Sequence, residues 1–515
     1  MSWEKEIEEL RRREALAQEM GGPDKVKRQH DGGKLTVRER IDRLLDAGSF
    51  HEIGALSGVA EYDAAGELKD VRPANLLFGR GRIGGRTVAV TGDDFTVRGG
   101  ANDGGIKSKL LAVERMACDL RLPLVRLVDG TGGGGSVKNL ELQGHSPMPK
   151  AFLWDWWTDN LSEVPVVSLA LGSVAGLGAA RVAASHYSVM VKETSQMFVA
   201  GPPVVEWTHG KFEKNELGGS HIHTRNGAVD DEAASEDEAF EKARRFLSYL
   251  PNSVHDLPEK KESSDDPKRA DPWLLEAVPR DPRKVYAMRR IIGAVVDNDS
   301  FFEIGRLWGR SIVTGFARLS GWPVAVMAGD PMHYGGAWSA RASEKITRFV
   351  DLAQVFHLPV VHLVDCPGFL IGPEAEKEGT IRYGMRAAAA ILQSRIPWCS
   401  VIVRKVFGVA GALHQNSSRY GMRVAWPSAE WGSLPIAGGL EAAYKSEIEA
   451  APDPAARRAE IEARIRKFAS PYRGAERYDI EEIIDPRDTR KILCEFAELA
   501  APLRTPGRSS FGVRP

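Results

Sequence analysis

The residues of this chain best placed for chemistry are glycines. RLVDGTGGGG, residues 126–135, passes from an apolar run through an acid into five glycines within six residues. Glycine admits positive φ and lets a ligand approach the backbone, at a cost in chain entropy. Between a strand and a helix, such a turn presents unpaired N–H groups. Those donors suit a phosphate, or an oxyanion that develops during reaction. Phosphate is the weaker reading. DGTGGGGS lacks the Lys-Ser/Thr of a P-loop, and GRGRIG (79–84) precedes a strand where the dinucleotide fingerprint follows one. Glycine-rich turns recur in GSVAGLGAA (172–180), DCPGFLIG (365–372) and FGVAGA (407–412). There is no HExxH, no GxSxG and no Cys/His cluster of metal spacing, so no metal is expected. A site of amides without a side-chain nucleophile suits enolate chemistry.

The scaffold that must hold these turns is doubled. Shifted by 236 positions, residues 85–133 fall on 321–369 without a gap, with 17 of 49 identical. The identities include VAV at 88–90 and 324–326, Gly-Gly-Ala at 99–101 and 335–337, Lys109 with Lys345, and Asp129 with Asp365. Upstream, LLDAGSFHEIG answers VVDNDSFFEIG. Each copy reads as a leading helix, short β segments, a glycine corner, a helix and then an apolar strand. Near-continuous Val/Leu/Ile runs alternating with helices predict parallel strands buried between helices. Two tandem α/β domains follow, at 1–255 and 273–515, with a linker at 256–272 rich in Pro, Ser and charge.

Bulk composition narrows the partners. With 43% hydrophobic and 27% charged residues, the chain reads as soluble and globular. A formal charge of −1 gives no reason to expect nucleic acid. Four scattered cysteines suggest buried thiols in a reducing compartment. The charged N-terminus lacks the apolar core of a signal peptide, and no run reaches the length of a spanning helix. A cytoplasmic (or matrix-like) protein without membrane insertion is expected.

Further stretches carry a resemblance. GKLTVRERIDRLLDAGSFHEIG, DDFTVRGG, FVAGPPVVEWTHGK, ELGGSHIHTRNGAVD, HLVDCPGFLIG and EAEKEGTIRYGMRAAAAI stand in order along nearly the whole chain. In these it resembles the carboxyltransferase (β) subunits of biotin-dependent acyl-CoA carboxylases, of the propionyl-CoA and methylcrotonyl-CoA types. The resemblance implies two tandem crotonase-like domains and a homohexamer built as a dimer of trimers. It implies acyl-CoA on the N-domain side and carboxybiotin on the C-domain side, with the carboxyl group passing to the α (or vinylogous) carbon through a thioester enolate. No AMKM-like sequence or ATP-grasp loop occurs, so biotin is expected on a partner subunit with the biotin carboxylase or the carboxyl carrier.

Carried over residue by residue, the acyl-CoA oxyanion hole falls on Gly132 and Gly133, where this chain has DGTGGGGS for the family's DSGGAR. The biotin-side hole falls on the amides of Val409 and Ala410, in FGVAGA for YGGAYD. Gly99, Gly100, Gly176 and Gly178 are expected beside the substrate, and Ala412 replaces an Asp linked to short acyl groups. Lys109 is read as an exposed helix lysine with a CoA phosphate as its functional alternative. The acidic stretch 230–243 is expected to be a solvated helix face. Two of the three tryptophans in LWDWWTDN are expected in the core, and His221/His223 are not expected to bind metal. The altered turns keep open two other readings, the subunit of a biotin-dependent decarboxylase and a non-catalytic scaffold.

Overall fold

The structure is a computed structural model that describes residues 2–100, 106–130, 141, 144–145, 148, 154–416, 420–510 and 512–513. The chain divides into two compact units, Met1–Asp256 with Gly507–Pro515, and Leu257–Pro506. The tail belongs with the first unit because the Gly507 N–H donates to the Val254 carbonyl (2.7 Å). From Leu257 on, the segment expected as a linker is part of the second unit. There the Lys261 N–H donates to Gly321 O at 3.1 Å, and Arg269 reaches the carbonyls of Ala294 and Val296.

Both units are built on a path of seven strands whose order in the sheet is their order in the chain. In the first unit these are β1 (His51–Glu52), β2 (Leu76–Ile83), β3 (Arg86–Asp93), β4 (Leu124–Val128), β5 (Val166–Ala170), β6 (Tyr187–Val191) and β7 (Asp231–Ala233). The second unit has β8 (Phe302–Ile304), β9 (Ile312–Leu319), β10 (Trp322–Gly329), β11 (Val360–Cys366), β12 (Trp398–Phe407), β13 (Met422–Ala425) and β14 (Glu482–Ile483). In each, the first two pairings are antiparallel and the rest parallel. Every residue of β4, β5 and β11 is buried, as strands covered on both faces require. A side strand, Glu430–Gly432, pairs with the end of β12.

The helices repeat the plan. The first unit uses α1 (Val37–Leu44), α2 (Ile106–Asp119), α3 (Leu177–Ala183) and α4 (Glu236–Leu247); the second uses α5 (Met288–Val295), α6 (Ala340–Val355) and α7 (Gly408–Ala412). α1 starts on a capping box in which Thr36 and Glu39 satisfy each other's backbone N–H groups, a device that stabilises a helix start by about 1 kcal/mol. The glycine corners after β3 and β10 match closely. Gly100 (φ 64°) and Gly336 (φ 86°) pack so tightly that a Cβ would stand 2.6 Å from Asp129 O in one and 2.4 Å from Asp365 O in the other. Only glycine fits there. The corners thereby pack directly against the strand ends at Asp129 and Asp365.

Two expectations about charge are corrected. Lys109 and Lys345 are buried, at 7% and 3% exposed. The Lys109 amine donates to the Gly54 carbonyl (3.1 Å), and that of Lys345 to Gly305, Trp308 and Ile312 (2.8, 3.0 and 2.7 Å). Gly54 and Gly305 close the matching FHEIG and FFEIG stretches, so the shared lysine ties helix to strand end in both copies. The acidic stretch at 230–243 is a solvated face only in part, with Asp237, Glu238 and Glu241 exposed. Asp230, Asp231 and Glu236 are buried, because Ser188, Tyr187 and Arg40 respectively bond their carboxylates. Among the described residues, no helix is long and apolar enough to cross a membrane.

Candidate functional site

Each unit carries a glycine turn at the C-terminal end of its central strands, where α/β sheets offer room for ligands. In the second unit, β12 ends at Phe407, and Gly408 turns the chain at φ 62° into the five-residue α7. Val409 and Ala410 are its second and third residues, so their N–H groups have no carbonyl partner inside the helix. The Val409 side chain is 57% exposed, whereas Ala410 is buried. Two donors therefore lie side by side on an apolar turn. Ala412, at the end of α7, borders a cavity of about 240 Å³.

In the first unit, Gly132 and Gly133 lie outside the described residues. What surrounds their turn is visible. Gly176 caps α3 at φ 56° and its N–H is already given to Phe198 O (3.1 Å). A Cβ on Gly178 would stand 2.7 Å from Gly130 O, so glycine there sets the start of α3 against the residue that opens the first glycine turn. Gly99 has open space where a Cβ would point, with Phe95 nearest at 3.9 Å, while Gly100 is packed against the strand end. Of the tryptophans, Trp157 is buried, and Trp156 is half-buried under the Arg115 guanidinium at 5.1 Å. His223 bonds the Met197 carbonyl (2.7 Å), and the described residues contain no group of side chains that could hold a metal.

The electrostatics differ beneath the two turns. Asp129, fully buried before the first, contacts Arg40 (2.8 Å), Gln29 (3.0 Å) and Lys34 (3.3 Å). Burial pushes its carboxyl up, but the Arg40 and Lys34 charges more than reverse this and hold it below the usual range. Asp365, the counterpart, accepts from the Tyr286 hydroxyl (2.7 Å) and the Lys405 N–H (3.2 Å). Burial prevails there, and the carboxyl is raised to about 6. Burial likewise brings Lys109 down to about 8.

Sequence reasoning brought Val409, Ala410 and Ala412 together on one turn. It missed what lies behind them. His414, Arg423 and Trp431 line the Ala412 cavity, together with Ile402 and Val406 of β12 and Ile480. Nothing in their spacing marks them; β13 and the side strand deliver them by pairing alongside β12.

Two α/β units of the crotonase type, each with a glycine turn at its strand ends, define a class, and comparison with known proteins gives its family. The family described as Carboxyl transferase domain matches residues 28–506, and the chain belongs to it. It is 35% identical over 499 residues to the propionyl-CoA carboxylase carboxyltransferase subunit of Haloferax mediterranei, covering 96% of this chain and 95% of that one. It is 31% identical over 508 residues to the methylmalonyl-CoA decarboxylase subunit alpha of Veillonella parvula, covering 97% of each. Among solved structures it resembles the transcarboxylase 12S hexamer with hydrolysed methylmalonyl-coenzyme A bound, at a TM-score of 0.88 and 30% identity, over 99% of this chain and 98% of that one.

Proposed function

We propose that this chain is the carboxyltransferase subunit of a biotin-dependent acyl-CoA carboxylase, moving a carboxyl group from carboxybiotin on a partner subunit to the α-carbon of an acyl-CoA. The observation that carries this reading is the family match, which spans both units and both glycine turns. Biotin would supply the carboxyl group and, once relieved of it, the base for the substrate α-proton. The residues of α7 fit its ureido oxygen, because two adjacent N–H groups lack helical partners and no charged side chain stands in FGVAGA.

In this reading, Val409 and Ala410 donate to that oxygen as it gains charge, and Gly132 and Gly133 donate to the thioester oxygen of the enolate. Each such donor contributes about 3–4 kcal/mol to the transition state. Gly99, Gly176 and Gly178 shape the backbone beside the thioester, with Gly100 as the packed corner that supports them. Ala412 borders the acyl group. Lys109 is left without a CoA contact, since its buried amine already serves Gly54. The assembly is a homohexamer, a dimer of trimers, served by a biotin carboxylase and a biotin carrier on other chains.

The test runs the transfer in reverse. Purified chain, free biotin and carboxyacyl-CoAs from malonyl- and methylmalonyl- to bulkier ones should give biotin-dependent loss of the carboxyl group. Val409→Pro, which deletes one N–H, lowers that turnover by about a hundredfold or more. Silence across the panel, with and without the biotinylated partner, would sink the reading in favour of a scaffold. Decarboxylation as the physiological direction is the second reading, favoured by the Veillonella parvula relative; only the partner subunits decide it.

A further inference from the structure

The two units share a device that their repeat brings to the same place. His362 lies 236 positions after Arg126, the shift that aligns the copies. Each faces a serine on the next parallel strand, Arg126 opposite Ser168 and His362 opposite Ser400. In the first unit, Arg126 Nη1 and Ser168 Oγ donate to one oxygen, the Arg181 carbonyl of α3 (3.1 and 3.0 Å). In the second, His362 Nδ1, Ser400 Oγ and Trp398 Nε1 donate to the His414 carbonyl just past α7 (2.9, 2.8 and 3.0 Å). α3 and α7 each follow a glycine turn at positive φ, Gly176 at 56° and Gly408 at 62°. Both copies thus pin the helix after the turn to the central strands.

The number of donors and their charge show that the pin does more than satisfy a buried group. A carbonyl oxygen has two lone pairs, and one donor already removes most of the cost of taking it out of water. Three donors from two strands fix where it sits. The charge state fits as well. Arg126 is paired with Glu114 through Nε and Nη2 (both 2.8 Å), whereas the position matching Glu114 is the buried Val350. An arginine at 362 would lack that partner for its buried charge. Histidine keeps the donor without the charge. Burial brings His362 down to about 3, so the ring is neutral. A carbonyl only accepts, so Nδ1 holds the proton.

The pinned carbonyl bears on α7 directly. Five residues are too few for a helix to hold itself, so its direction is set at its ends. At its far end the His414 Nδ1 donates to the Gly411 carbonyl (2.8 Å). A Cβ on Gly411 would stand 2.8 Å from the Val406 carbonyl carbon, so the helix lies hard against β12. His414 therefore grips the helix with its ring and the sheet with its own carbonyl.

We propose that His362, Ser400 and Trp398 are positioning residues, which hold α7 through His414 so that the Val409 and Ala410 N–H groups stay aimed at one oxygen. Their effect on turnover rests on the proposed function; the pin itself does not.

Two variants separate the donor from the packing. His362→Leu and His362→Asn both delete the imidazole, but Asn Nδ2, bonded to Cγ as Nδ1 is, keeps a donor. In the reverse assay with free biotin, kcat should fall about five- to tenfold in His362→Leu, the loss of one buried hydrogen bond, and less than about twofold in His362→Asn. Melting temperature should run the other way, because Asn buries a carboxamide oxygen that Leu lacks. Equal kcat in the two variants, or a kcat order that follows melting temperature, would make the role structural and overturn the proposal. Hydrogen exchange of residues 408–414 in the full chain, without substrate or biotin, reads the pin apart from the reaction. It should quicken about five- to tenfold in His362→Leu and stay near wild type in His362→Asn. Ser400→Ala, which removes little volume, should quicken it too and serves if a ring variant fails to fold. Unchanged exchange in the Leu and Ala variants would overturn the pin. A wild type without biotin-dependent turnover would sink the carboxylase reading, and the exchange contrast alone would then decide the pin.

Discussion

The two units solve one burial problem in opposite ways. Both place an aspartate at the end of the strand before a glycine turn, Asp129 and Asp365, and both bury it completely. In the first unit the fourth residue of α1 is Arg40, which joins Asp129 to Glu236 and donates to the Leu171 carbonyl (3.0 Å). In the second, the fourth residue of α5 is Ile291, wholly buried in the apolar core. Asp365 is left to the Tyr286 hydroxyl and a backbone N–H. Copies of one fold thus carry the same acid paired with an arginine in one half and without a bonded cation, its carboxyl held above the usual range, in the other. A duplicated scaffold keeps the acid because its position holds the strand end. The partner is free to diverge.

The largest expected effect comes from making the first unit resemble the second. Arg40→Ile leaves Asp129 and Glu236 buried without their main cation, a change that costs about 3–5 kcal/mol. Native-state hydrogen exchange, which reads each unit separately, should show the loss in β4 and α4. Unchanged protection there would mean that Lys34 alone carries the pair.

Next comes pH. A carboxyl raised from 3.8 to about 6 binds its proton more tightly in the folded state. The second unit therefore loses stability as pH rises from about 4 to about 6, by about 3 kcal/mol over the full window. Asp129 has the opposite sign: its depressed carboxyl contributes stability above the unfolded value that is lost on acidification. Asp365→Asn should flatten the dependence of exchange in β11 between those pH values and leave that of β4 intact. A slope that survives the substitution would assign it to other groups.

The smallest effect sharpens the comparison at the shared lysines. Lys345 serves three carbonyls and Lys109 one. Lys345→Met should cost about 2–3 kcal/mol, at about 1 kcal/mol per hydrogen bond, and Lys109→Met less, because relief of its buried charge offsets the one bond lost. Equal losses would show that the number of bonds does not matter there. Lys109 also carries its own pH signature. Its amine is lowered from 10.5 to about 8, so the first unit gains stability as pH rises through that window, and Lys109→Met removes the gain.

Much of this was legible in the chain because it is encoded locally. The repeat register located both glycine corners, Gly99–Gly100 and Gly335–Gly336, since a backbone held at positive φ against a neighbouring carbonyl tolerates no other residue. Unbroken runs such as LVRLV and VVSLA marked strands covered on both faces. The order of strands and turns placed Val409, Ala410 and Ala412 on one loop, because they are neighbours in sequence. Charge was misread for the same reason. Nothing near Lys109 or Glu236 announces that a strand-end carbonyl or an arginine some 200 residues away will take them into the interior.

Only the tertiary structure decided the rest. Arg40 looks like an ordinary helix residue until parallel pairing brings Asp129 within 2.8 Å of it, and Ile291 until the apolar core closes around it. His414, Arg423, Trp431 and Ile480 are scattered along the chain, and become one wall because strands β12 and β13 and the side strand lie side by side. Local sequence determines which conformations a segment can adopt. Which distant groups share a cavity, and with what charge, follows from sheet order, which lies in the packing of the whole unit.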